Sequence, residues 1–407
     1  MFSDKFAVEI EKIRDSFKEI IHFTPLNKSH TFSRMCSNEV YLKLENIQRT
    51  GSFKIRGAYQ KISKMTRQEL DKGVITASAG NHGQAVAYAA RLFNARSTIV
   101  VPEGAPIVKI EAIKNYNPNG TVIEYGTSYD EAYLKALEIQ KSNDLTFVHA
   151  YNDMDVIKGQ ATIGVEVLDQ LPDVDYVICP IGGGGLISGI SSYCKAKNKE
   201  IKIIGVQSES AHSMKESFDK KSLTISALNE TICDGIAVKK PGKLTFEIIR
   251  QNVDDIVLVS DEEVANAILL LMERSKIFVE GAGAAALAAV LYKKIKLNNK
   301  KIVVILSGGN LTPNLISRII NKGLIKDGRL LKIKMKIPDV PGALLSVLEI
   351  IAKEKGNVLT IIHDRERLEL EYQKSEVIIE LETRNFDHID QIISKLKEHY
   401  KIDILNF

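Results

Sequence analysis

The sequence lacks any stretch long enough to cross a membrane as an apolar helix. Its longest apolar run, Ala284–Tyr292, is far shorter than the roughly 20 residues that a membrane span requires. Residues Met1–Ile20 mix acidic and basic side chains at helical spacing and contain no apolar segment typical of a secretory signal. These absences predict a cytoplasmic protein rather than a membrane or secreted one.

Cysteine is scarce, and neither sign of charge dominates. The 55 basic and 51 acidic residues leave a net charge of +4, which does not favour nucleic acid or a membrane surface as a partner. The cysteines show no spacing typical of a metal site, so we expect no metal there and interpret them as reduced thiols of a cytosolic protein. They are Cys36, Cys179, Cys194 and Cys233.

What the chain does contain is a regular alternation of strand-like and helix-like segments between Gly73 and Ser307. Its 407 residues suggest two or three domains. The alternation predicts an α/β fold with mostly parallel sheets, in which ligands bind at the carboxyl ends of strands. The predicted strands are Val74–Ala77, Ser97–Val101, Thr121–Tyr125, Thr146–His149, Tyr176–Pro180, Ile203–Gln207, Ile256–Val259 and Lys301–Leu306. The predicted helices are Gln84–Phe93, Ile107–Tyr116, Tyr129–Lys141, Gly159–Leu171, Leu186–Lys195, Asp261–Arg274 and Gly281–Leu291.

A different pattern begins near Leu330 and predicts a second domain over residues 330–407. Its order βαββαβ is typical of a small ferredoxin-like unit. The polar segment 321–329, with Gly323 and Gly328, is predicted to be the linker. The predicted strands are Leu331–Ile337, Val358–His363, Glu376–Glu382 and Ile402–Leu405, and the predicted helices are Ala343–Glu354 and Ile389–His399.

The first motif with chemical content is Thr50–Ala58, which reads TGSFKIRGA. Ser52 is a residue type that caps helices, so Lys54 is expected in the first turn of a helix. The positive end of the helix should lower the lysine pKa and favour the neutral amine that Schiff-base chemistry needs. Taken alone, the pattern is more typical of an ordinary surface lysine.

The second motif is Thr76–Gly83, TASAGNHG, between a predicted strand and helix. The free N–H groups at the start of that helix suit a carboxylate or a phosphate. Asn81 could also donate a hydrogen bond to a cofactor oxygen. A capped turn without a ligand explains the isolated motif equally well.

Two further glycine-rich loops follow predicted strands. Pro180–Leu186, PIGGGGL, places four consecutive glycines where their N–H groups could wrap a phosphate. Its spacing matches neither the dinucleotide fingerprint nor the ATP-binding loop. In Leu306–Asn310, LSGGN, the hydroxyl of Ser307 could face the ring nitrogen of a cofactor, although an ordinary turn is the more common explanation of this short motif.

Together and in this order, the four motifs resemble the threonine dehydratase (threonine ammonia-lyase) branch of the fold-type II pyridoxal-phosphate enzymes. Val156–Gln160 also matches, apart from Lys158, where a small residue is commoner. The resemblance covers roughly residues 20–320. It implies a catalytic domain over residues 1–320, in which a small subdomain of about 46–148 is inserted into a larger one.

The resemblance also implies a role for each matched residue. Lys54 would hold pyridoxal 5'-phosphate covalently and move the Cα proton of the substrate, an amino acid. The remaining cofactor contacts would be Phe53 against the ring, Asn81 at the 3'-oxygen, Ser307 at the pyridine nitrogen, and Gly182, Gly183, Gly184, Gly185 and Leu186 at the phosphate. The substrate carboxylate would lie against Ser78, Ala79, Gly80, Asn81 and His82.

The activity implied is the conversion of L-threonine to 2-oxobutanoate and ammonia, and of L-serine to pyruvate. A neutral hydroxyl at Ser307 would make the cofactor a weaker electron sink, which favours prompt β-elimination. Both isoleucine biosynthesis and threonine catabolism stay open as its role, as does the preference between the two substrates. A homodimer or homotetramer is expected.

The C-terminal domain resembles an ACT domain, a regulatory unit that often binds amino acids. The residues that match its effector loop are Asp339, Val340, Pro341, Gly342 and Asn357. The resemblance therefore implies allosteric regulation by an amino acid or a nucleotide, whose identity and sign stay open.

Two rival functions are weighed against the dehydratase. Serine racemases share the fold but carry a proton-transferring serine where this chain has Ala79, and their cation site would fall on Gln207 and Ser213, although Glu209 leaves a different ligand set open. A catalytically inactive metabolite sensor is disfavoured by the intact Lys54 motif. A nicotinamide dehydrogenase is more distant, because its glycine fingerprint is missing.

Overall fold

A computed structural model describes residues 3–17, 19–366, 368 and 370–405; the outer limits of the predicted domains, residues 1 and 407, lie outside this set. The chain divides into two compact units, Met1–Leu311 and Thr312–Phe407. Among the described helices, none is both long enough and apolar enough to cross a membrane.

The first unit contains two sheets among its described residues. Its strands are β1 Leu26–Lys28, β2 Glu39–Lys43, β3 Val74–Ala77, β4 Ser97–Val101, β5 Thr121–Glu124, β6 Thr146–Phe147, β7 Tyr176–Pro180, β8 Lys202–Ser208, β9 Asp255–Val259 and β10 Lys301–Ile305. The larger sheet has the order β1-β2-β10-β7-β8-β9, parallel except for the β1–β2 pair. The smaller sheet, β5-β4-β3-β6, is parallel throughout. Because β3–β6 lie between β2 and β7 in the chain, the smaller sheet is an insertion into the larger one.

Helices cover these sheets, as parallel strands buried on both faces require. Residues Ile302–Ile305 of the central strand β10 are fully buried. The helices are α1 Asp4–Ser16, α2 His30–Cys36, α3 Lys54–Ser63, α4 Arg67–Lys72, α5 Asn81–Leu92, α6 Ile107–Tyr116, α7 Tyr129–Asn143, α8 Met154–Gln170, α9 Gly185–Lys197, α10 Ser213–Lys220, α11 Lys243–Asn252, α12 Asp261–Leu270 and α13 Gly281–Leu291. A π-helical turn, Leu271–Ser275, extends α12.

Most predicted elements of this unit are present, and β3, β4, β7, α6 and α13 have the predicted bounds. Helix α8 begins earlier than the predicted Gly159, because the carboxylate of Asp153 caps it by accepting from the N–H groups of Asp155 and Val156. The sequence does not predict strands β1 and β2 or helices α2, α4, α10 and α11. Strand β2 is fixed by pairing with β10, where Val40 faces Ile302, a contact that local pattern does not reveal.

The second unit has the predicted βαββαβ order, preceded by an additional helix. Its elements are α14 Pro313–Lys326, β11 Leu330–Pro338, α15 Ala343–Lys353, β12 Asn357–Asp364, β13 Lys374–Glu382, α16 Phe386–Lys397 and β14 Ile402–Ile404. Its antiparallel sheet has the order β12-β13-β11-β14, which is ferredoxin-like. Leu331, Ile333, Met335 and Ile337 alternate into the core along β11.

The boundary between the units differs from the predicted linker 321–329. The first unit ends at Leu311, and most of the predicted linker belongs to helix α14. Pro313 occupies the first position of this helix, where proline is favourable. Ile319 is the buried residue of this helix. Gly323, which was assigned to the linker, lies within the helix. The polar composition of residues 321–329 therefore reflects an exposed helix end and the following turn.

Candidate active site

The four motifs converge on one cavity of about 890 Å³ in the first unit. They come from the loops that follow β3, β7 and β10 and from the start of α3, as expected for the carboxyl edges of parallel strands. The cavity lining includes all the predicted cofactor and substrate residues: Phe53, Lys54, Ser78, Ala79, Gly80, Asn81, His82, Gly182, Gly183, Gly184, Gly185, Leu186 and Ser307.

Lys54 is the first residue of α3, and its ammonium group is buried in the cavity wall. Its Nζ donates to the carbonyl oxygen of Ala150 at 3.1 Å and lies 5.3 Å from the ring centroid of Phe53. Burial lowers the pKa of Lys54 to about 8, while the carboxylate of Glu280 opposes this shift. The pKa of Lys54 is therefore lowered as predicted, and burial is the largest cause of this shift.

Ser52 was expected to cap α3, and this expectation is wrong. The residue before Lys54 is Phe53, which has helical backbone angles, and no side chain caps the helix. Ser52 instead forms a backbone bridge with Gly308, and the N–H of Phe53 donates to the carbonyl oxygen of Ser307 at 3.1 Å. The turn before Lys54 is thus positioned by the loop after β10, which is more than 250 residues away in the chain.

A buried ionic network anchors the helix that carries Lys54. The guanidinium of Arg56 donates to both carboxylate oxygens of Glu45 at 2.8 Å and to Glu166 on α8 at 2.6 and 3.0 Å. Lys43 also donates to Glu166, at 2.6 Å. The two cations and two carboxylates balance in charge, and nearby hydrogen bonds satisfy them further, which is the condition under which buried charges are tolerated.

The glycine loop is shaped to admit an anion. Gly184 has φ +94°, a conformation that favours glycine, and a methyl group on Gly183 would overlap the ring of Tyr151. The hydroxyl of Thr245 donates to the carbonyl oxygen of Gly183 at 2.6 Å and fixes the loop from outside. Helix α9 begins at Gly185, so the first N–H groups of the helix have no acceptor within it and suit a phosphate.

Ser307 lies in the loop directly after β10 and is buried, yet it lines the cavity. Its hydroxyl has one long hydrogen bond, to the carbonyl oxygen of Ala282 on α13 at 3.4 Å. The cavity therefore has an uncharged polar group at Ser307. The sequence predicts such a hydroxyl opposite the ring nitrogen of the cofactor.

The substrate loop Ser78–His82 leads into α5, which begins at Asn81 with Gly80 as its cap. The Nε2 atom of His82 contacts the carbonyl oxygen of Val148 at 2.8 Å, so Nε2 carries the hydrogen. Burial lowers the pKa of His82 to about 3, and the ring is neutral. Its other nitrogen, Nδ1, can then only accept. The ring of His82 is therefore unsuited to hold a carboxylate, which is better served by the N–H groups at the start of α5.

Glu280 is a cavity residue that the sequence interpretation missed. It lies directly before α13, and its buried carboxylate accepts from Asn81 Nδ2 at 2.7 Å. Burial raises its pKa to about 7, with Asp234 acting in the same direction. The available signal was a single acidic residue placed directly before the apolar, alanine-rich segment 281–291.

Two ion pairs at the cavity link the segment of the smaller sheet to the segment of the larger sheet. Lys109 on α6 lies 2.9 Å from Asp234, and Asp130 on α7 lies 4.0 Å from Lys239. The sequence interpretation did not single out these four residues. All four residues belong to the cavity lining, so the two pairs connect its two sides.

The two positions that the sequence matches to a racemase-type cation site, Gln207 and Ser213, carry neutral side chains. Gln207 Nε2 donates to the carbonyl oxygen of Ile181 at 3.2 Å, and the hydroxyl of Ser213 donates to Val238 O at 2.6 Å. Glu209 lies 3.8 Å from Lys294. Within the part of the chain that the structure describes, no group of three or more His, Cys, Asp and Glu side chains is arranged to hold a metal ion.

These observations fit pyridoxal phosphate. A glycine cradle that a Cβ atom would fill, a buried amine of lowered pKa and a buried neutral hydroxyl line the same cavity. Comparison with known proteins agrees, since the sequence model of the family described as pyridoxal-phosphate dependent enzyme matches residues 18–308. The chain belongs to this family of enzymes.

Individual relatives and solved structures within this similarity are more specific about activity. An L-threonine ammonia-lyase of Thermotoga maritima is 46% identical over 384 residues, which is 94% of this chain and 95% of the relative. A solved structure of threonine deaminase isoform 2 from Solanum lycopersicum matches with a TM-score of 0.74 and 36% identity, over 79% of this chain and 94% of that one. A maize serine racemase structure matches with a TM-score of 0.72 and 33% identity, over 78% of this chain and 97% of that one.

Proposed function

We propose that the protein is an L-threonine ammonia-lyase that converts L-threonine to 2-oxobutanoate and ammonia, and L-serine to pyruvate. The observation that carries this proposal is the buried, weakly basic Lys54 amine, which shares one cavity with the glycine loop, Asn81 and Ser307. The similarity to an L-threonine ammonia-lyase over 94% of the chain supports the choice of substrate.

The bound cofactor would withdraw electrons from the substrate Cα, and the side chains of this chain would perform the remaining tasks. The Lys54 amine would accept the Cα proton. The N–H groups at the start of α5 would bind the carboxylate, and the neutral Ser307 hydroxyl would leave the ring nitrogen without a full positive charge. These conditions favour loss of the β-hydroxyl over reactions that need a long-lived carbanion.

A steady-state assay on purified protein tests the proposal. We expect 2-oxobutanoate from L-threonine and pyruvate from L-serine, each with an equivalent of ammonia. Protein that contains the cofactor but forms neither oxo acid would overturn the dehydratase assignment and favour the inactive metabolite sensor.

The racemase alternative is retained because of the maize serine racemase match. Ala79 argues against it, since this residue lines the cavity at the place where racemases carry a proton-transferring serine and its methyl group cannot transfer a proton. The neutral contacts of Gln207 and Ser213 argue in the same direction.

The C-terminal unit would act as an ACT-type regulatory domain that binds an amino acid or a nucleotide. The unit has its own core and a cavity of about 1320 Å³, whose lining includes Val340, Pro341 and Gly342. Two other predicted effector residues do not line it: Asp339 pairs with Arg365 at 3.1 Å, and Asn357 donates to Glu382 at 3.1 Å. The effector would therefore contact the loop before α15 rather than the start of β12.

Truncation after Leu311 tests this role, because the first unit ends there. The shortened chain should keep its activity while losing any response to branched-chain amino acids or nucleotides. An unchanged response in an active, folded truncation would place the effector site in the catalytic unit.

We further propose a homodimer or homotetramer in the cytoplasm. Ile47 and Phe278 are exposed apolar side chains, which supports self-association. Their segments are neighbours, because the side chain of Asn46 donates to the carbonyl oxygen of Phe278. The four cysteines, all free and buried, suit a reducing compartment. Sedimentation of the purified protein and fractionation of cells test the two statements separately; a monomer or a membrane-bound protein would contradict them.

A further inference from the structure

A continuous chain of hydrogen bonds connects three of the motifs with Glu280. The Nδ2 atom of Asn310 donates to the carbonyl oxygen of Thr50 at 2.9 Å and to Oδ1 of Asn81 at 2.6 Å. The Nδ2 atom of Asn81 in turn donates to Oε1 of Glu280 at 2.7 Å. The lysine motif, the substrate loop and the loop after β10 are therefore joined through two amide side chains.

The backbone carbonyl of Thr50 determines which group donates in each of these hydrogen bonds. The backbone carbonyl of Thr50 can only accept, so the atom of Asn310 that faces it must be the amide nitrogen. Both hydrogens of that nitrogen are then used, because the second one reaches Asn81. Asn81 must accept with its oxygen, which turns its own NH₂ group towards Glu280.

One hydrogen of the Asn81 NH₂ group remains after the bond to Glu280. Asn81 lines the cavity, and among the described residues Glu280 is the acceptor that the structure provides for Nδ2. We propose that Asn310 and Glu280 are positioning residues that hold the Asn81 amide in one orientation, with its second N–H directed to the 3'-oxygen of the cofactor. This inference is independent of the substrate that the enzyme uses.

Glu280 is suited to this task because it is a buried acceptor that lies beside Asn81. Its carboxyl group is buried, and the charged or titratable groups that act on it are Asp234, Lys109, Lys54 and Cys233. Burial raises its pKa to about 7, so the carboxylate form predominates above neutral pH. An ionised carboxylate only accepts, whereas a protonated one could donate to the Asn81 oxygen and weaken the preference for one amide orientation.

Three variants separate this role from a general structural one. Glu280→Gln keeps an oxygen acceptor in nearly the same volume, whereas Glu280→Leu removes the acceptor at similar volume. Asn310→Ala removes the donor at the other end. Each change is made in the full-length protein and again together with Asn81→Ala, and exposed Glu262 on α12 supplies the control Glu262→Gln.

Two measurements are made on each variant: the dissociation constant of pyridoxal phosphate from the cofactor-free protein, and the pH midpoint of the visible absorbance of the loaded protein. Losing one net hydrogen bond corresponds to about fivefold weaker binding. We expect this loss in Glu280→Leu and Asn310→Ala, recovery in Glu280→Gln, and no change in Glu262→Gln. We also expect the absorbance midpoint to move in Glu280→Leu and Asn310→Ala.

The double variants provide the decisive comparison. If Glu280 and Asn310 act through Asn81, neither change weakens binding further once Asn81 is alanine. Equal losses with and without Asn81 would overturn the proposal, and so would a Glu280→Gln variant that binds no better than Glu280→Leu. If Glu280→Leu does not fold, as judged by thermal unfolding, the Asn310→Ala pair of measurements decides in the same way.

Discussion

Lys54 and Glu280 are two buried ionisable groups of one cavity, and each acts on the proton affinity of the other. Burial lowers the pKa of Lys54 to about 8 and raises that of Glu280 to about 7, while their mutual attraction opposes both shifts. Each burial shift favours the neutral form of the group. Glu280 therefore keeps Lys54 more basic than burial alone would make it.

The pKa of Lys54 predicts how covalent attachment of the cofactor depends on pH. Only the neutral amine is nucleophilic, so the rate should rise about tenfold per pH unit below pH 8 and level off above it. Glu280→Gln removes a charge that raises this pKa and should move the midpoint to lower pH. Rapid-mixing absorbance measurements on cofactor-free protein provide the rates. A midpoint near the ordinary lysine value would contradict the burial of Lys54.

Lys54→Ala should abolish covalent attachment and reduce turnover by several orders of magnitude. The physical reason is that Lys54 is the buried amine beside Phe53 and the glycine loop, where it would both hold the cofactor and move the Cα proton. Borohydride reduction followed by peptide mass spectrometry checks the attachment, with Lys64→Ala, at the end of α3, as a control that should retain the label on Lys54. A label on a different lysine in the wild type would refute the assignment.

Gly183→Ala should weaken cofactor binding about tenfold or more. A methyl group there would overlap the Tyr151 ring, and the shift needed to relieve such a clash costs about 1–3 kcal/mol. Glu262→Gln, on the exposed face of α12 and outside the cavity, is the control. Equilibrium titration with pyridoxal phosphate compares the two. Equal affinities in both variants would mean that the glycine loop does not shape the phosphate site.

Ala79 predicts that the enzyme forms almost no D-serine from L-serine. Lys54 would serve one face of the planar substrate carbanion, and the methyl group of Ala79 has no proton to supply to the other face. The measurement is the ratio of D-serine to pyruvate, which should be near zero in the wild type and should rise in Ala79→Ser. A substantial ratio in the wild type would show that another group supplies the second proton.

Arg56→Met should strongly destabilise the protein. Removing this guanidinium leaves Glu45 and Glu166 short of a buried partner, which typically costs about 3–5 kcal/mol. Arg67→Met is the control, since the Arg67–Asp71 pair is mostly exposed and pairs of that kind contribute below about 1 kcal/mol. Urea unfolding of both variants gives the free energies. Comparable losses would show that the network does not anchor α3.

The sequence alone was sufficient to predict the order of elements around the cavity. The bounds of β3, β4 and β7 follow from short apolar runs, and the glycine loop lies directly after β7 as expected. Such predictions succeed because periodicity and turn chemistry depend on residues close together in the chain. The joint occurrence of the motifs also identified the cofactor and the family, which the comparisons confirm.

Only the tertiary structure determined how the side chains of the cavity are paired and charged. Asn81 meets Glu280, which lies 199 positions further along the chain, and the turn before Lys54 is held by Gly308 rather than capped by Ser52. The largest cause of the lowered pKa of Lys54 is burial, which the sequence did not indicate. Desolvation and hydrogen bonding between distant residues arise when the chain packs, so no local sequence pattern contains them.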